Sequence, residues 1–391
     1  MSRWMSRGIT FAVIAVGLSV LASPSWADPP AIPNSGTLTW SISPDLGTLP
    51  IGTPTDADAG LTSTIEFDAH ELPSAVNTVY ATLDATIPAG TQAAADIRGL
   101  RGDGTWSEWL ETTPDAVAVL PESTRSVQTR LVRSVGATTA TVRSINLTAW
   151  NVERPASARS LSSEAGNTYT VFATREGLVG GTTANGHVIT PRDHFVALPS
   201  RRGLSKAGGG DYTARVCTLS GSRCEWAPVW DVGPWNTKDD YWNADRQSWT
   251  DLPQGKAQAQ AAYSDGYNGG LDQFGRKVRN PAAIDLADGA FWDGLQLIGN
   301  AYVNVTFQWS GSGAWGKVGT DSQLLNVRTG PELSSAQAGM AVQGAQVRIE
   351  CELTGETVDG PLGVSDSWYR LAPGKYAPAA HVEIGYAPSP C

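Results

Sequence analysis

Two aspartates stand at positions suited to acid catalysis. Asp231 follows the strand-like run Ala-Pro-Val-Trp and precedes Val-Gly-Pro-Trp, and Asp285 ends Pro-Ala-Ala-Ile before a stretch that turns helical. Both therefore sit where a strand runs into a loop. Glu176, on the strand Thr-Tyr-Thr-Val-Phe-Ala-Thr-Arg-Glu, is a third carboxyl of the same kind. Cleaving a glycan requires an acid that protonates the leaving oxygen, and hydrolysis requires a second carboxylate to activate water or attack the sugar. A muramyl transglycosylase uses the sugar's own hydroxyl and manages with one acid. On this reading Asp285 is the acid and Asp231 its partner. The competing reading is structural: Asp231 caps the turn before Gly233-Pro234, and Asp285 or its neighbours cap a short helix.

Other chemistries lack the residues they need. No G-x-S-x-G elbow occurs, and Cys224 has no nearby histidine of the kind a thiol nucleophile requires. The four histidines are His70, His187, His194 and His381, and His187 to Asp193 falls one residue short of the H-x₆-D spacing of zinc peptidases. His187 and His194 read as polar loop residues, with a shared metal as the alternative. Gly208-Gly209-Gly210 is a turn without the Lys-Ser/Thr of a phosphate loop. No metal and no cofactor is expected.

Aromatic residues crowd around the two aspartates. Trp226, Trp230, Trp235, Tyr241, Trp242, Trp249, Tyr263, Tyr267, Phe274, Phe291 and Trp292 fall mostly among Gly, Asn and Asp. Of these, Trp230, Trp235, Tyr241, Trp242, Trp249 and Trp292 are the candidate glycan-binding residues, since flat rings stack on sugars while Asn and Asp bond hydroxyls. The bland alternative is that they fill the core of a long insertion. The charge balance, 28 basic against 38 acidic residues, argues against nucleic acid and anionic membranes as partners.

The elements that would position these residues are all of one type. Residues 1–27 carry Arg3 and Arg7, an apolar run from Gly8 to Ala22 and the small-residue ending Ser23-Pro24-Ser25-Trp26-Ala27, which is the pattern of a cleaved secretory leader. No stretch is long enough to span a membrane. Export agrees with four cysteines and no C-x₂₋₄-C metal pair: Cys217 and Cys224 flank a turn-like Ser-Gly-Ser-Arg, and Cys351 and Cys391 remain to tie the chain end to its last domain. Residues 28–153 show short alternating runs between Gly and Pro turns, the pattern of a β-sandwich. Residues 154–168 are rich in Ser and Ala and read as a linker, 169–312 as a second β unit carrying the aspartates, and 322–391 as a small barrel.

Several motifs carry resemblances. Arg101-Gly-Asp-Gly-Thr-Trp-Ser-Glu-Trp109 resembles a motif of accessory β-sandwich domains in secreted actinobacterial cell-wall amidases, where Trp106 and Trp109 serve either core packing or sugar stacking. Leu324-Leu-Asn-Val-Arg-Thr-Gly-Pro331, with Trp368-Tyr-Arg-Leu and a final strand, resembles the bacterial SH3-like domain of wall hydrolases; Tyr376-Ala-Pro-Ala replaces the usual Tyr-Val-Ser-Asp. The central unit resembles the double-psi β-barrel of rare-lipoprotein-A-like proteins, lytic transglycosylases and expansins. The likeness rests on Ala173 to Gly177 with Thr183-Ala-Asn-Gly186, on Val229 to Trp235, and on Ile284-Asp-Leu-Ala287. It implies that Asp285 is the essential acid, that Asp231 and Asp285 are brought together, and that Glu176 faces the same groove. Glu176 stands where the family has Tyr, Val232 where it has Arg, and Val196-Ala-Leu198 lacks a third acid.

The expectation is thus an all-β, secreted or wall-associated monomer of sandwich, double-psi barrel and SH3-like barrel, recognising cell-wall glycan or peptide. Three readings stand: a non-hydrolytic or weakly active peptidoglycan binder, a muramidase or lytic transglycosylase using Asp285, and a non-catalytic structural envelope protein.

Overall fold

A computed structural model describes residues 31–43, 62–134, 140–153, 164–321 and 324–391. The leader (1–27) and residues 154–163 of the expected linker lie outside the described residues. The fold is all-β. Among the described residues one α-helix, α1 (Gln258–Asp265), lies in the insertion and ends on Gly266 at φ 68°, a left-handed cap that glycine adopts without a Cβ clash.

The first unit comprises β1 (Leu38–Ile42), β2 (Thr62–Glu66), β3 (His70–Thr86), β4 (Ala93–Gly99), β5 (Leu110–Thr112), β6 (Ala118–Ser134) and β7 (Thr141–Trp150). Hydrogen bonding joins them in the order β1-β7-β3-β6-β4-β5, with β2 on β6. β3 pairs with β6 through its first half and with β7 through its second, and the register shifts at Glu71/Val76 and Val76/Thr78. Such irregularities bend a strand. The bent sheet covers one core in which Ile97 and Leu131 join Ile145 and Leu147.

Six strands close the central barrel: β8 (Thr168–Arg175), β9 (Val196–Leu198), β10 (Thr213–Thr218), β11 (Cys224–Val232), β12 (Ala282–Leu286) and β13 (Ala301–Phe307). Their order is β10-β13-β8-β12-β9-β11, and β11 returns to β10. Two pairs are parallel, β8 with β12 and β9 with β11, and the other four are antiparallel. Exchanging the first three strands with the last three leaves this pattern unchanged, so the barrel has an internal pseudo-two-fold symmetry. Alternation explains each wall: Val171, Ala173, Val196, Leu198, Ile284 and Leu286 fill the inside, and the residues between them face outward.

The C-terminal strands are β14 (Ala314–Val318), β15 (Leu324–Arg328), β16 (Gln337–Val342), β17 (Gln346–Ile349), β18 (Cys351–Gly360), β19 (Gly363–Ala372), β20 (Lys375–Pro378) and β21 (Val382–Tyr386). β16 runs parallel to β11, so barrel and C-terminal strands share one sheet of 11 strands. Gly339 makes this contact possible, because a Cβ there would lie 2.0 Å from the Cys224 carbonyl oxygen. β14 pairs with β17 and β21. Both expected disulfides are present, Cys217 to Cys224 and Cys351 to Cys391.

The first unit meets the barrel through the segment 101–109. Trp109 is buried with the guanidinium of Arg98 at 4.3 Å on one side and that of Arg130 at 4.4 Å on the other, while Trp106 also lies under Arg98. Of the two roles open to this tryptophan pair, the structure gives Trp109 packing. Glu108 accepts the indole N–H groups of Trp242 and Trp309, each at 2.6 Å. Beside them Arg130 bonds Asp96 at 2.9 and 2.8 Å and reaches across to the carbonyls of Arg201 and Leu204, and Arg201 bonds Asp96 at 3.0 Å. Burial opposes the Asp96 charge, but Arg201 and Arg130 outweigh it and hold the carboxyl below its usual range. Removing one partner of such a buried network exposes the other's desolvation cost, about 3–5 kcal/mol. Arg130→Ala is therefore expected to lower unfolding free energy by that amount in urea titrations, whereas Arg143→Ala, at an exposed ion pair with Asp84, leaves it nearly unchanged.

Candidate active site

The carboxyls form a row across four strands. Thr174 on β8 lies opposite Asp285 on β12, Asp285 lies opposite Ala197 on β9, and Ala197 lies opposite Asp231 on β11. Residues paired in this way point to the same face of a sheet. Their neighbours Ala173, Ile284 and Val196 face the barrel core, so this row faces outward. Asp231 and Asp285 flank one residue and are two strand spacings apart, roughly 10 Å between Cα atoms.

A β-bulge precedes each aspartate. In β11 the register slips between Val229 and Asp231, with Trp230 as the extra residue, and in β12 between Ala282 and Ile284. Without the slip Asp231 would share a face with Val229, which is fully buried in the core. The bulge thus turns a core-facing position into an outward-facing one. Glu176 extends the same ladder, its N–H donating to the Leu286 carbonyl at 2.9 Å, and shares the face of Thr174 two residues before it.

The three acids differ in environment. Asp231 Oδ1 accepts the main-chain N–H groups of Ala184 and Val232, both at 2.8 Å. Asp285 accepts the Thr174 hydroxyl. Burial, reinforced by the Asp231 charge and partly offset by that Thr174 bond, pushes the Asp285 carboxyl up to about 7. Burial and the nearby carboxyls of Asp231, Asp285 and Asp288 push Glu176 well above the usual carboxylate range. Both Glu176 oxygens are shielded from solvent with no well-directed donor. Asp231 is the carboxyl that acts on it most strongly.

A groove of about 440 Å³, within the size range of small-molecule sites, opens over Thr174, Glu176 and Asp285, while Asp231 lies beside it and is not part of its lining. It is lined by Thr174, Arg175, Glu176, Leu178, Pro234, Trp235, Arg276, Asn280, Asp285 and Asn300. Sequence reasoning missed Arg175, Arg276, Asn280 and Asn300, which come from three separate segments, the end of β8, the insertion before β12 and the loop before β13.

The aromatic candidates divide. Trp235 lines the groove, its backbone at φ 65° and its indole N–H on Asn280 Oδ1 at 3.0 Å. Trp292 is 39% exposed and carries the guanidinium of Arg175 at 4.7 Å, so it borders the groove through that arginine. The assignment of Tyr241 and Trp242 as glycan-binding residues is corrected. Both are fully buried, with Trp242 stacked on Phe307 at 4.7 Å, and neither has a face to offer a sugar. Trp230 is likewise no groove wall. Its indole donates to the Gly209 carbonyl and its ring packs on His187 and Phe195, away from the lining residues. Trp249 meets Tyr267 edge to face and does not line the groove.

The capping role for Asp285 is also set aside, because the residue lies within β12 and bonds Thr174. Asp288 pairs with Arg175 at 2.5 Å, and the short helical turn that follows has no side-chain cap. His187 bonds Asp193 at 2.6 Å and His194 bonds Glu225 at 2.8 Å, each in its own pair. Among the described residues no group of three potential ligands could hold a metal ion.

Residues 167–306 match a family described as a domain of unknown function, DUF8814. That span runs from the start of β8 to the end of β13, so the family unit coincides with the closed barrel. No curated protein and no solved structure matches the chain.

The raised Asp285 carboxyl has a consequence for stability. An acid whose folded value lies above its unfolded one binds its proton more tightly when folded, so its contribution is present below the unfolded value near 3.8 and is lost as pH rises through about 7. Asp285→Asn is expected to raise the melting temperature at pH 8 by a few degrees and to leave it nearly unchanged at pH 4, as read by calorimetry.

Proposed function

We propose that the barrel groove binds and cleaves a cell-envelope glycan, with peptidoglycan as the substrate class, and that Asp285 is the general acid. The observation that carries this reading is the outward-facing row of carboxyls in which Asp285 titrates near 7 beside the acceptor oxygens of Asp231. A general acid works best when its pKa lies near the working pH. Asp285 gives its proton to the leaving oxygen as the glycosidic C–O bond breaks, and Asp231 or Glu176 takes the proton of the incoming hydroxyl, from water or from the sugar itself. Trp235 offers an aromatic face beside the acids, and Asn280 and Asn300 offer amide groups to hydroxyls.

An extracellular setting agrees with two disulfides, and among the described residues no helix is long and apolar enough to cross a membrane. We place the enzyme reading ahead of a non-hydrolytic binder because Asp285 and Glu176 line the groove together with Trp235, Asn280 and Asn300.

The test incubates the protein with purified peptidoglycan and follows released fragments by chromatography. Asp285→Asn is expected to slow release by about 10²–10⁴-fold while retaining sedimentation with the polymer. In the wild type the rate falls as pH rises through about 7, where Asp285 loses its proton. Sedimentation without fragments at any pH would return the groove to a binding role, and neither would remove the glycan reading.

A further inference from the structure

We propose that the groove selects glycans bearing anionic substituents, carboxylate or phosphate, and that Arg175 and Arg276 bind them. The proposal rests on the glycan reading of the same groove and adds the substrate's charge.

Two guanidinium groups line the groove from different elements, Arg175 at the end of β8 and Arg276 in the insertion. Each is held in place. Arg175 bonds Asp288 at 2.5 Å through Nη1 and lies over the Trp292 ring, and Trp292 is flanked on its own account by Arg192 at 4.8 Å. Arg276 bonds Asp272 at 2.6 Å through Nε and the Trp235 carbonyl at 2.8 Å through Nη2, with the Phe274 ring 4.9 Å away. A guanidinium has five N–H donors, so these anchors leave donors over on side chains that are 40% and 49% exposed. A fork already ordered by a ring and a carboxylate loses little freedom when it meets a second planar or tetrahedral anion.

The arginines are not counter-ions for the catalytic acids. Their carboxylate partners are Asp288 and Asp272 rather than Asp285 or Glu176, and both arginines line the same groove as those two acids. The chain as a whole carries a net charge of −10, so two ordered cations at one groove are not a sample of a generally basic surface. Among the described residues Arg175 and Arg276 are the only cationic side chains lining the groove, so an anionic substituent is drawn to their side of it. That arrangement sets register: the substituent seated on Arg175 or Arg276 leaves an uncharged glycosidic linkage over Asp285.

The experiment measures binding of the intact protein to three probes by calorimetry. They are peptide-free peptidoglycan strands with free lactyl carboxylates, the same strands with those carboxyls amidated, and purified teichoic acid carrying phosphodiesters. At least one anionic probe is expected to bind about tenfold or more tightly than the amidated strands, because charge-assisted bonds to a fork exceed neutral ones. The tighter of the two anionic probes identifies carboxylate or phosphate. Arg175→Gln and Arg276→Gln should each remove most of that difference without changing affinity for amidated strands, and Arg276→Lys should restore only part of it. Equal binding of native and amidated strands, with teichoic acid no tighter, overturns the proposal and leaves the glycan reading standing. Variants that lose amidated strands as severely as charged ones also overturn it. Failure of all three probes to bind overturns the glycan reading itself.

Discussion

The buried Arg130, Asp96 and Arg201 network is the constraint on which the site's geometry depends. Arg130 and Asp96 belong to the N-terminal sheet, yet Arg130 donates to the carbonyls of Arg201 and Leu204, which immediately follow β9. β9 is only three residues long and separates the strands carrying Asp231 and Asp285. So short a strand contributes few ladder bonds of its own. The segment after it is held by the Ser200 to Lys238 bridge within the barrel unit and by the arginine network from the N-terminal sheet. The N-terminal sheet is a brace for the barrel's working face as well as a neighbour.

This brace accounts for much of the aromatic richness. Trp109, Trp242 and Trp309 meet at the seam, where Glu108 satisfies two indole N–H groups at once and two guanidiniums cover Trp109. Glu108 Oε1 takes the indole N–H groups of both Trp242 and Trp309, while the Trp109 indole N–H is buried without a hydrogen-bond partner among the described residues and its ring is held by the guanidiniums instead. Tryptophans near the aspartates in sequence thus serve the interface, while Trp235, turned outward by a left-handed backbone, serves the groove. The insertion between β11 and β12 is held by its own buried pairs, Arg246 with Asp239 and Arg202 with Asp240, and this order lets Arg276 and Asn280 present themselves at the groove.

The groove gathers opposite requirements in a small space. Its floor holds carboxyls that burial and mutual repulsion keep partly protonated, and its lining holds cations anchored on other acids, Asp272 and Asp288. Had the arginines paired with Asp285 or Glu176 directly, those carboxyls would have ionised and lost the capacity to donate a proton. Asp272 and Asp288 therefore have a positioning role that is legible only from the three-dimensional pairing.

The sequence by itself determined the all-β class and both disulfides, and it marked Asp231, Asp285 and Glu176 as candidate carboxyls at strand ends. Period-two alternation, cysteine parity and carboxyls at strand ends are local signals, readable along one chain. Which face each acid takes was decided by tertiary structure, because a single-residue bulge at Trp230 or Ala283 inverts the alternation and only pairing with β9 or β8 reveals it. The fate of the tryptophans was decided there too. A ring in a Gly- and Asn-rich loop has the same local sequence whether it caps a groove, as Trp235 does, or fills a seam, as Trp242 does. The difference is supplied by Glu108 and Arg130, more than one hundred residues away, and a contact across that separation leaves no trace in the spacing of neighbours.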